Sequence, residues 1–316
     1  MQLVRGLHNL RPEHRGCVAT IGNFDGVHLG HQTVFRHLLD KGAELRLPTT
    51  VVTFEPQPRE FFQASSAPAR LTRLREKLRA IEAVGVKRVV VLEFNKRLAA
   101  MQAERFVKEL LVEGLGVRFL SVGDDFRFGS GRQGDFQLLQ RMGQAHGFEV
   151  ENMNTYKLDT DRVSSTRIRE LLTQGDFATA SQYLGRPYCI CGRIGHGDKR
   201  GRVIGFPTLN VNLHRRVSPL QGVYAVKVEG LRDRPIPGVA NIGVRPTVEG
   251  DPRYLLEVHL FGFDRSVYSE HISVEFIRKL RDEQRFENFA ALRRQILLDV
   301  AAARETLGVT DLAPQG

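Results

Sequence analysis

The sequence predicts two domains of different fold class: an α/β domain, followed by an all-β domain that ends in a helix. The chain has 316 residues, and at about 150 residues a domain this length suggests two domains. Up to about residue 150, apolar runs of strand length alternate with segments of helical periodicity, which is typical of βαβ units. Helical periodicity is missing from Tyr188 to about Ile277. We therefore place the boundary near residues 184–187 and expect domains 1–184 and 185–316.

The first domain is predicted to be a parallel sheet with helices on both faces. Its predicted strands are Cys17–Ile21, Thr49–Phe54, Val86–Phe94, Arg118–Val122 and a fifth that begins at Phe148. Between them, apolar residues at helical spacing predict helices around Thr33–Leu39, Leu74–Ala83, Phe106–Leu111 and Phe136–Ala145. Ligands of such open sheets bind at the carboxyl ends of the strands, so the loops that follow these strands are the first candidates for a site.

The second domain is predicted to be an antiparallel barrel or sandwich. Short strands such as Gly222–Val228 and Tyr254–Phe261 are separated by Gly, Pro, Asn and Asp, which is typical of all-β folds. A final helix follows, with one apolar face formed by Phe289, Leu292, Ile296 and Val300. Because the two halves differ in fold, we expect two activities, or one activity with an accessory module.

The composition is that of an ordinary globular protein with a basic surface. Apolar residues make up 41% of the chain and charged residues 26%, which excludes a disordered, collagen-like or coiled-coil protein. The formal net charge is +10, and a basic balance favours polyanionic partners such as nucleic acids or nucleotide phosphates. The basic residues form no block or tail, so local anion pockets are favoured over a nucleic-acid-binding arm.

Cysteine usage and the N-terminal residues favour a cytoplasmic protein. The three cysteines, Cys17, Cys189 and Cys191, are too few for a disulfide scaffold. Cys189 and Cys191 fall on the same side of a predicted strand, and we interpret them as core-facing or neutral residues rather than as metal ligands. The sequence has no apolar segment typical of a signal peptide and no run of about 18 apolar residues. We therefore expect neither secretion nor a membrane span.

The strongest candidate site is residues 22–31 (GNFDGVHLGH), which lie between a predicted strand and a predicted helix. The glycines are spaced four apart, which matches neither the GxGxxG fingerprint nor the GxxxxGK[ST] phosphate loop. The chemistry must therefore come from His28 and His31. Three residues apart at the start of a helix, the two imidazoles lie on one face. They can donate hydrogen bonds to phosphate oxygens, assisted by the helix dipole.

Two further clusters lie where a predicted helix begins and where a predicted strand ends. Residues 164–169 (SSTRIR) precede an apolar helical pattern, and their hydroxyls can cap the helix. Arg167 and Arg169 at this end would be repelled by the helix dipole unless an anion binds there, so a phosphate cradle is predicted. Residues 123–129 (GDDFRFG) follow the fourth predicted strand, again on the edge where ligands bind.

In the second domain, residues 195–210 (GHGDKRGRVIGFPTLN) combine glycines with basic side chains. Backbone N–H groups and positive charge in such a loop can surround phosphates. The candidate phosphate ligands are Gly197, Lys199, Gly201 and Gly205. The order of residues is not that of a Walker motif, so a P-loop kinase is excluded. The alternative is a solvated hairpin loop without a ligand.

Four motifs occur in order along the first half: GNFDGVHLGH, TFEPQP, GDDFRFG and SSTRIR. Together they resemble the motifs of the bacterial bifunctional riboflavin kinases/FMN adenylyltransferases, also called FAD synthetases. The resemblance extends over essentially the whole chain, because the second half is similar to the family's kinase module. It implies a Rossmann-like nucleotidyltransferase domain of the HxGH type, followed by an antiparallel Greek-key β-barrel kinase domain with a C-terminal helix.

For the first domain, the resemblance implies that the phosphate of FMN attacks the α-phosphorus of ATP, which yields FAD and pyrophosphate. The residues that this assigns to ATP or its phosphates are Gly22, Phe24, Gly26, His28, His31, Asp125, Ser164, Thr166 and Arg167. Asp125 stands where many relatives carry Asn; an Asp could help to hold a metal but would repel phosphate without one. Phe62 and Phe128 are candidates to flank the flavin ring. Phe61 could take the place of Phe62, because neighbours on an extended segment face opposite sides.

For the second domain, the resemblance implies phosphorylation of riboflavin to FMN. Thr208 and Asn210 in the segment FPTLN match the family's ligands of Mg²⁺–ATP. Glu257 matches the general base that accepts the proton of the ribityl 5′-hydroxyl. An inward carboxylate in an apolar barrel is costly unless it has a partner or a function. Arg278 is a further candidate for the flavin site.

Two alternatives to a bifunctional enzyme remain open. Leu209, Ser266 and Ser269 depart from the family's pattern, so the kinase domain is the one whose activity is more easily lost. An RNA-binding protein is suggested by the charge of +10, although no motif of aromatic and basic residues supports it. The favoured interpretation is a bifunctional enzyme that uses Mg²⁺, ATP, riboflavin and FMN. We expect no nucleic-acid or membrane partner, and a monomer or a weak homo-oligomer.

Overall fold

The computed structural model describes residues 1–123, 125–153, 156–158, 161–195, 205–213, 217–245 and 253–310. The chain divides into two compact units, the first comprising residues 1–68 and 72–165, and the second comprising residues 69–71 and 166–316. Residues 166–184 therefore belong to the second unit, whereas the sequence pattern assigns them to the first domain. The boundary after residue 184 stays a prediction about the two functional modules.

The first unit is an α/β structure around six parallel strands. The strands are β1 (Gln2–Arg5), β2 (Cys17–Ile21), β3 (Thr49–Glu55), β4 (Arg88–Glu93), β5 (Val117–Gly123) and β6 (Glu149–Met153). The helices are α1 (Leu29–Leu45), α2 (Pro58–Phe62), α3 (Leu74–Val84), α4 (Lys96–Ala99), α5 (Ala103–Phe106), which continues as a π-helix over Val107–Gly114, and α6 (Phe136–His146). Two short strands, β7 (Lys157–Leu158) and β8 (Asp161–Arg162), pair antiparallel.

The parallel sheet predicted from the sequence is confirmed, and one edge strand was missed. All five residues of β2 are buried, as expected for a strand with helices on both faces of the sheet. The missed strand, β1, has four residues, of which only Val4 is buried. So short a strand with a single buried residue leaves no alternation or apolar run that a sequence pattern could detect.

The strand order of this sheet reverses between β2 and β5. The spatial order is β1-β4-β3-β2-β5-β6, so the chain adds β3 and β4 on one side of β2 and then returns to add β5 and β6 on the other. Ligands of open α/β sheets bind at such switch points, outside the carboxyl ends of the strands. The glycine turn after β2 and the segment 125–129 after β5 therefore lie at the same ligand-binding edge.

The second unit is a closed antiparallel barrel with helices packed on it. The strands are β9 (Cys189–Gly195), β10 (Leu209–Asn212), β11 (Gly222–Glu229), β12 (Ile236–Arg245), β13 (Arg253–Leu260) and β14 (His271–Arg281), joined in the order β10-β13-β12-β11-β14-β9. The helices are α7 (Ser165–Gln174), whose first residue belongs to the first unit, α8 (Phe177–Leu184) and α9 (Phe289–Leu307). The predicted all-β fold with a final helix is confirmed.

Helix α8 packs on the barrel through aromatic contacts. The ring of Phe177 meets Tyr224 edge-on, with centroids 5.8 Å apart, and stacks on Phe276 at 6.2 Å. Tyr183 and Leu184 of the same helix are also buried. Because burying a large aromatic side chain contributes about 1.5–3 kcal/mol, α8 is a substantial part of the core of this unit.

Helix α9 is fixed to the barrel by apolar packing and by one ion pair. Ala303 lies in the apolar cluster that covers the outside of β11 and β12. The guanidinium of Arg281 donates from Nε and Nη2 to the two carboxylate oxygens of Asp299, both at 2.8 Å. Phe289 is 71% exposed, so the predicted apolar face of the helix does not include its first residue. No helix in the described part of the chain is long and apolar enough to cross a membrane.

The two neighbouring cysteines lie on the outer face of β9. Ile190 and Ile194 are buried inside the barrel, and Cys189 and Cys191 alternate with them and are half-buried. Of the two alternatives, core-facing or neutral, the first is therefore wrong, because the strand register turns the isoleucines inward. Burial raises the pKa of the Cys189 thiol to about 12, so this thiol stays protonated and unreactive.

Candidate active sites

The turn between β2 and α1 has a strained backbone that surrounding side chains hold in place. Phe24 and Val27 have φ angles of 46° and 45°, and Gly26 has a φ of 82°. Positive φ is costly for residues other than glycine. The buried carboxylate of Asp25 accepts hydrogen bonds from Thr72, from its N–H at 3.0 Å and its hydroxyl at 3.2 Å. The N–H of Gly26 donates to Oγ1 of Thr72 at 2.9 Å.

A buried lysine supports the same turn from the protein interior. Lys77 of α3 is 1% exposed, and its Nζ donates to the carbonyl of Asn23 at 2.6 Å and to Oγ1 of Thr53 at 3.4 Å. The Thr53 hydroxyl also donates to the Asn23 carbonyl, at 3.3 Å. Strain that polar groups maintain at a ligand-binding edge is characteristic of functional sites.

The turn leads directly to the two histidines of the motif. His28 is the N-cap residue of α1, and His31 lies in its first turn. Their rings stack, with centroids 3.6 Å apart and an interplanar angle of 22°, and Phe24 packs edge-on against His31 at 5.2 Å. A Cβ at Gly30 would lie 3.2 Å from the His28 ring, so the glycine leaves room for it. Two imidazoles at the N-terminus of a 17-residue helix form a suitable site for a phosphate group.

The serine segment begins next to this turn. Oγ of Ser165 donates to the carbonyl of Asp25 at 2.9 Å, which brings Ser165 and the half-buried Ser164 close to the glycine turn. Two motifs that are about 140 residues apart in the chain thus meet at the switch point of the sheet, where an anion would be bound by both.

Thr166 and Arg167 belong to the second unit. Thr166 is exposed, and Nη1 of Arg167 donates to Oε2 of Glu170 at 3.3 Å. Arg169 donates from Nε to the carbonyl of Ala69. An anion was predicted to balance both arginines, but the carbonyl of Ala69 already accepts from Arg169, and Glu170 already neutralises part of the charge of Arg167.

The segment after β5 exposes a carboxylate and buries a ring. The side chain of Asp125 is 83% exposed, and its Oδ2 lies 3.8 Å from Nη2 of Arg162. Phe128 is 6% exposed and packs against Phe106 and Phe126, with centroids 5.5 Å and 5.4 Å away. Because Phe126 is half-buried and Phe128 is buried, Phe126 is the more accessible of the two rings. The flavin role of Phe128 stays a prediction.

Four phenylalanines cluster at the carboxyl ends of β3 and β4. Phe61 and Phe62 lie on the short helix α2, so the expectation of an extended segment is wrong. Both rings pack edge-on against Phe94, at 5.5 Å and 5.6 Å, and Phe54 does so at 5.8 Å. Phe62 is 65% exposed, whereas Phe61 is half-buried. This aromatic cluster is an apolar surface on which a planar heterocycle can bind.

In the barrel, three polar residues form a row across neighbouring strands. Asn210 of β10 lies opposite Glu257 of β13, and Glu257 lies opposite Asn241 of β12. Paired residues share one face of a sheet, so the three side chains are neighbours. Leu256 and Val258, which flank Glu257 in the sequence, are fully buried inside the barrel. The polar row therefore lies on the outer face, and the expectation that Glu257 faces inward is wrong.

One oxygen atom of the row is suited to act as a metal ligand. Oδ1 of Asn210 is buried and has no hydrogen-bond partner among the residues that the structure describes. Buried polar atoms without a partner are rare and require an explanation. Thr208, which is half-buried, immediately precedes β10. Oxygen donors of this kind suit Mg²⁺, which is commonly held by one or two protein groups together with substrate phosphates. Within the described ranges, no group of three or more His, Cys, Asp or Glu could hold a metal by itself.

His259 links this row to the segment that precedes β10. Its Nδ1–H donates to the carbonyl of Pro207 at 2.9 Å, and its ring meets Phe206 edge-on at 5.4 Å. Burial lowers the pKa of His259, which favours the neutral ring. Since His259 and Glu257 lie on the same face of β13, this contact holds the residues before Thr208 near the row.

Of the other residues predicted in this domain, the structure describes Gly205 and Arg278. Gly205 is exposed and has a φ of 88°. Gly197, Lys199 and Gly201 lie outside the described residues. Arg278 is exposed on β14, opposite Ala225, next to an irregularity in the pairing of β11 and β14. The roles of these residues stay predictions.

No site role was predicted from the sequence for several of these residues, among them Lys77, Phe94 and Asn241. Lys77 lies in an ordinary amphipathic helix, where a lysine is expected to face solvent. Phe94 ends a predicted strand and is indistinguishable from a core residue by pattern. Asn241 becomes a neighbour of Glu257 only through the strand register, which the sequence does not specify.

Two family models match the chain in succession. One, described as FAD synthetase, matches residues 10–167, and the other, described as riboflavin kinase, matches residues 184–307.

Similar proteins cover nearly the whole chain. A relative from Escherichia coli (strain K12), named bifunctional riboflavin kinase/FMN adenylyltransferase, is 51% identical over 98% of this chain and 99% of its own. A relative of the same name from Pseudomonas fluorescens is 55% identical over 96% and 97%. A solved structure described as a macrolide-efflux protein from Streptococcus pneumoniae has a TM-score of 0.78 at 27% identity, and the match covers 96% of this chain and 99% of the other.

Proposed function

This chain belongs to the family of bifunctional riboflavin kinases/FMN adenylyltransferases, and we propose that two separate groups of its residues carry out the two reactions. The adenylyltransferase lies in the N-terminal part and the riboflavin kinase in the C-terminal part. The predicted family and enzyme class are thus confirmed, and the RNA-binding alternative is dropped. The observation that carries the assignment of sites is that the stacked histidines and the polar row lie in different compact units.

In the first unit, His28 and His31 hold the phosphates of ATP. They stack at the N-terminus of α1, where the helix dipole favours negative charge. An oxygen of the FMN phosphate forms a bond to the α-phosphorus, and the bond from this phosphorus to the leaving pyrophosphate breaks. No protein nucleophile is needed. The histidines and the serines at the start of α7 lower the barrier by orienting the phosphates and stabilising the charge that develops on them.

The aromatic cluster of Phe54, Phe61, Phe62 and Phe94 binds the flavin ring of FMN in this unit. It lies at the ends of β3 and β4, on the same edge of the sheet as the glycine turn. Phe62, the most exposed of the four rings, is best placed to stack on the flavin.

In the second unit, Glu257 is the general base of riboflavin phosphorylation. As the ribityl 5′-hydroxyl attacks the γ-phosphorus of ATP, Glu257 accepts the hydroxyl proton and ADP leaves. Asn210 and Asn241 flank Glu257 on the two neighbouring strands and orient the groups around it. The base is thereby positioned by strand register rather than by a loop, which keeps it rigid.

Mg²⁺ fits the oxygen donors of the second unit, and we assign Thr208 and Asn210 as the residues that hold it. The ion would neutralise charge on the ATP phosphates. Oδ1 of Asn210, which is buried without a hydrogen-bond partner among the described residues, supports this assignment.

The experiment that tests the proposed function is incubation of the purified chain with riboflavin, ATP and Mg²⁺, followed by chromatographic separation of the flavins. We expect riboflavin to disappear, FMN to appear first and FAD to accumulate. Chelation of Mg²⁺ with EDTA should stop both steps. FMN without FAD, or no reaction of riboflavin while added FMN is adenylylated, would show that one of the two sites is inactive.

A further inference from the structure

Lys77 is a charged side chain in a position where charge is costly. It is 1% exposed, and removing an ammonium group from water requires strong hydrogen bonds in return. Its Nζ donates to the carbonyl of Asn23 at 2.6 Å, the residue that directly precedes the strained Phe24. A methionine of similar length would fill the same space in the core without this cost, so packing alone does not account for a lysine.

We propose that Lys77 is a positioning residue for adenylyl transfer, one that acts on the stacked histidines by holding the carbonyl of Asn23. This inference rests on the proposed function of His28 and His31. Rotation of the peptide unit between Asn23 and Phe24 changes the direction of the carbonyl and the φ angle of Phe24 together. The hydrogen bond from the ammonium group therefore keeps Phe24 in its left-handed conformation, with a φ of 46°.

The conformation of Phe24 is transmitted to the histidines by direct contact. The Phe24 ring packs edge-on against His31 at 5.2 Å, and His31 stacks on His28 at 3.6 Å. Without Lys77, the strained peptide can relax and the Phe24 ring moves. Since a displacement of about 1 Å in a positioned group can cost 100-fold in rate, a small relaxation is enough to impair transfer.

Thr53 provides an independent way to disturb the same carbonyl. Its hydroxyl donates to Asn23 at 3.3 Å and accepts from Nζ of Lys77 at 3.4 Å. Thr53→Val removes this donor with little change of shape. If Lys77 and Thr53 act through the same carbonyl, the loss of adenylylation rate in the double variant must differ from the product of the two single losses. Two unrelated packing defects would instead give independent losses, whose free energies add.

The test uses the full chain and four variants: Lys77→Met, Thr53→Val, the double variant, and Lys87→Met as a matched control. Lys87 is exposed in the same unit, so its replacement removes the same charge without touching the turn. The measurements are kcat and KM for adenylylation of FMN, riboflavin phosphorylation by the same samples, and thermal unfolding. Rates are expressed per folded molecule.

We expect Lys77→Met to lower kcat of adenylylation about 10- to 100-fold, the loss typical of a hydrogen bond from a charged group. The KM for FMN should stay unchanged, because the flavin binds elsewhere. Thr53→Val should lower kcat about two- to tenfold, and the double variant should lose less than the product of the two. Riboflavin phosphorylation in all variants, and adenylylation in Lys87→Met, should match the wild type.

Adenylylation by Lys77→Met within twofold of the wild type, per folded molecule, would overturn the inference, as would independent effects in the double variant. If Lys77→Met does not fold, Thr53→Val decides alone, and unchanged adenylylation in that variant overturns the inference. Failure of the wild type and of Lys87→Met to adenylylate FMN would instead contradict the proposed function.

Discussion

The two units build their sites in different ways. In the first, ten consecutive residues (22–31) form a turn and the start of a helix, and the local backbone stacks His28 on His31. In the second, Asn210, Glu257 and Asn241 come from three strands and meet only through their pairing. A site built from a continuous segment depends on backbone strain, whereas a site built across strands depends on the register of their pairing. A register shift by one residue moves every side chain of a strand to the other face of the sheet.

The largest expected effect concerns whether the barrel of the second unit folds without helices α7 and α8. A fragment of residues 166–316 should fold and phosphorylate riboflavin, whereas residues 185–316 should be largely unfolded. The shorter fragment lacks α8, whose Phe177 packs on Tyr224 and Phe276. Loss of a buried phenylalanine alone costs about 3–5 kcal/mol, a large part of the roughly 5–15 kcal/mol that stabilises a typical domain. Circular dichroism and kinase assays of both fragments measure this.

Equal stability of the two fragments would contradict this expectation and would support the boundary after residue 184. Phe177→Ala in the full chain is the control, because it should lower the melting temperature while leaving kcat per folded molecule unchanged.

The next effect concerns the base in the polar row. Glu257→Gln keeps the size of the side chain but removes its basicity, so riboflavin phosphorylation should fall about 10²–10⁴-fold. Binding of ATP and riboflavin should change little, because proton transfer matters mainly in the transition state. Adenylylation of added FMN in the other unit should be unaffected. A lower melting temperature with normal turnover per folded molecule would instead make Glu257 a structural residue.

His28→Ala tests the phosphate site of the first unit. It removes a phosphate hydrogen bond at the positive end of α1, and adenylylation should fall about 10²–10³-fold, as for the loss of an oxyanion donor. Phosphorylation of riboflavin should continue, so the variant should accumulate FMN. Flavin chromatography of a riboflavin reaction detects this directly. If FMN formation fell in parallel with FAD formation, the two sites would not be separate.

The smallest expected effect is that His259 makes the stability of the barrel depend on pH. Burial lowers the pKa of His259 in the folded state, whereas the unfolded chain has the ordinary value of about 6.5. Below that pH the unfolded state binds a proton that the folded state does not, so stability falls as the pH drops from about 6.5 to the lowered pKa. His259→Asn retains a donor for Pro207 but cannot titrate. Its melting temperature should decrease less than that of the wild type between about pH 7.5 and pH 5.5, and equal decreases would contradict this.

How much the sequence predicts differs between the two sites for a physical reason. The glycine turn is contiguous, so the order of its glycines and histidines along the chain is enough to indicate a phosphate site. The face of Glu257 was predicted wrongly, because alternation alone does not say which side of a strand faces the barrel interior. No site role was predicted for Asn241, because pairing across strands is a property of the folded sheet. Lys77 was missed because only tertiary burial distinguishes it from a surface lysine.

The stacking of His28 on His31 gives the first site a spectroscopic signal of its own. With centroids 3.6 Å apart, each imidazole lies in the magnetic shielding region above the other ring. The carbon-bound ring protons of both residues should therefore resonate upfield of their usual positions, which separates them from other signals in a chain with ten histidines. Proton magnetic resonance could then follow the arrival of nucleotide phosphates at this site, with no need for turnover.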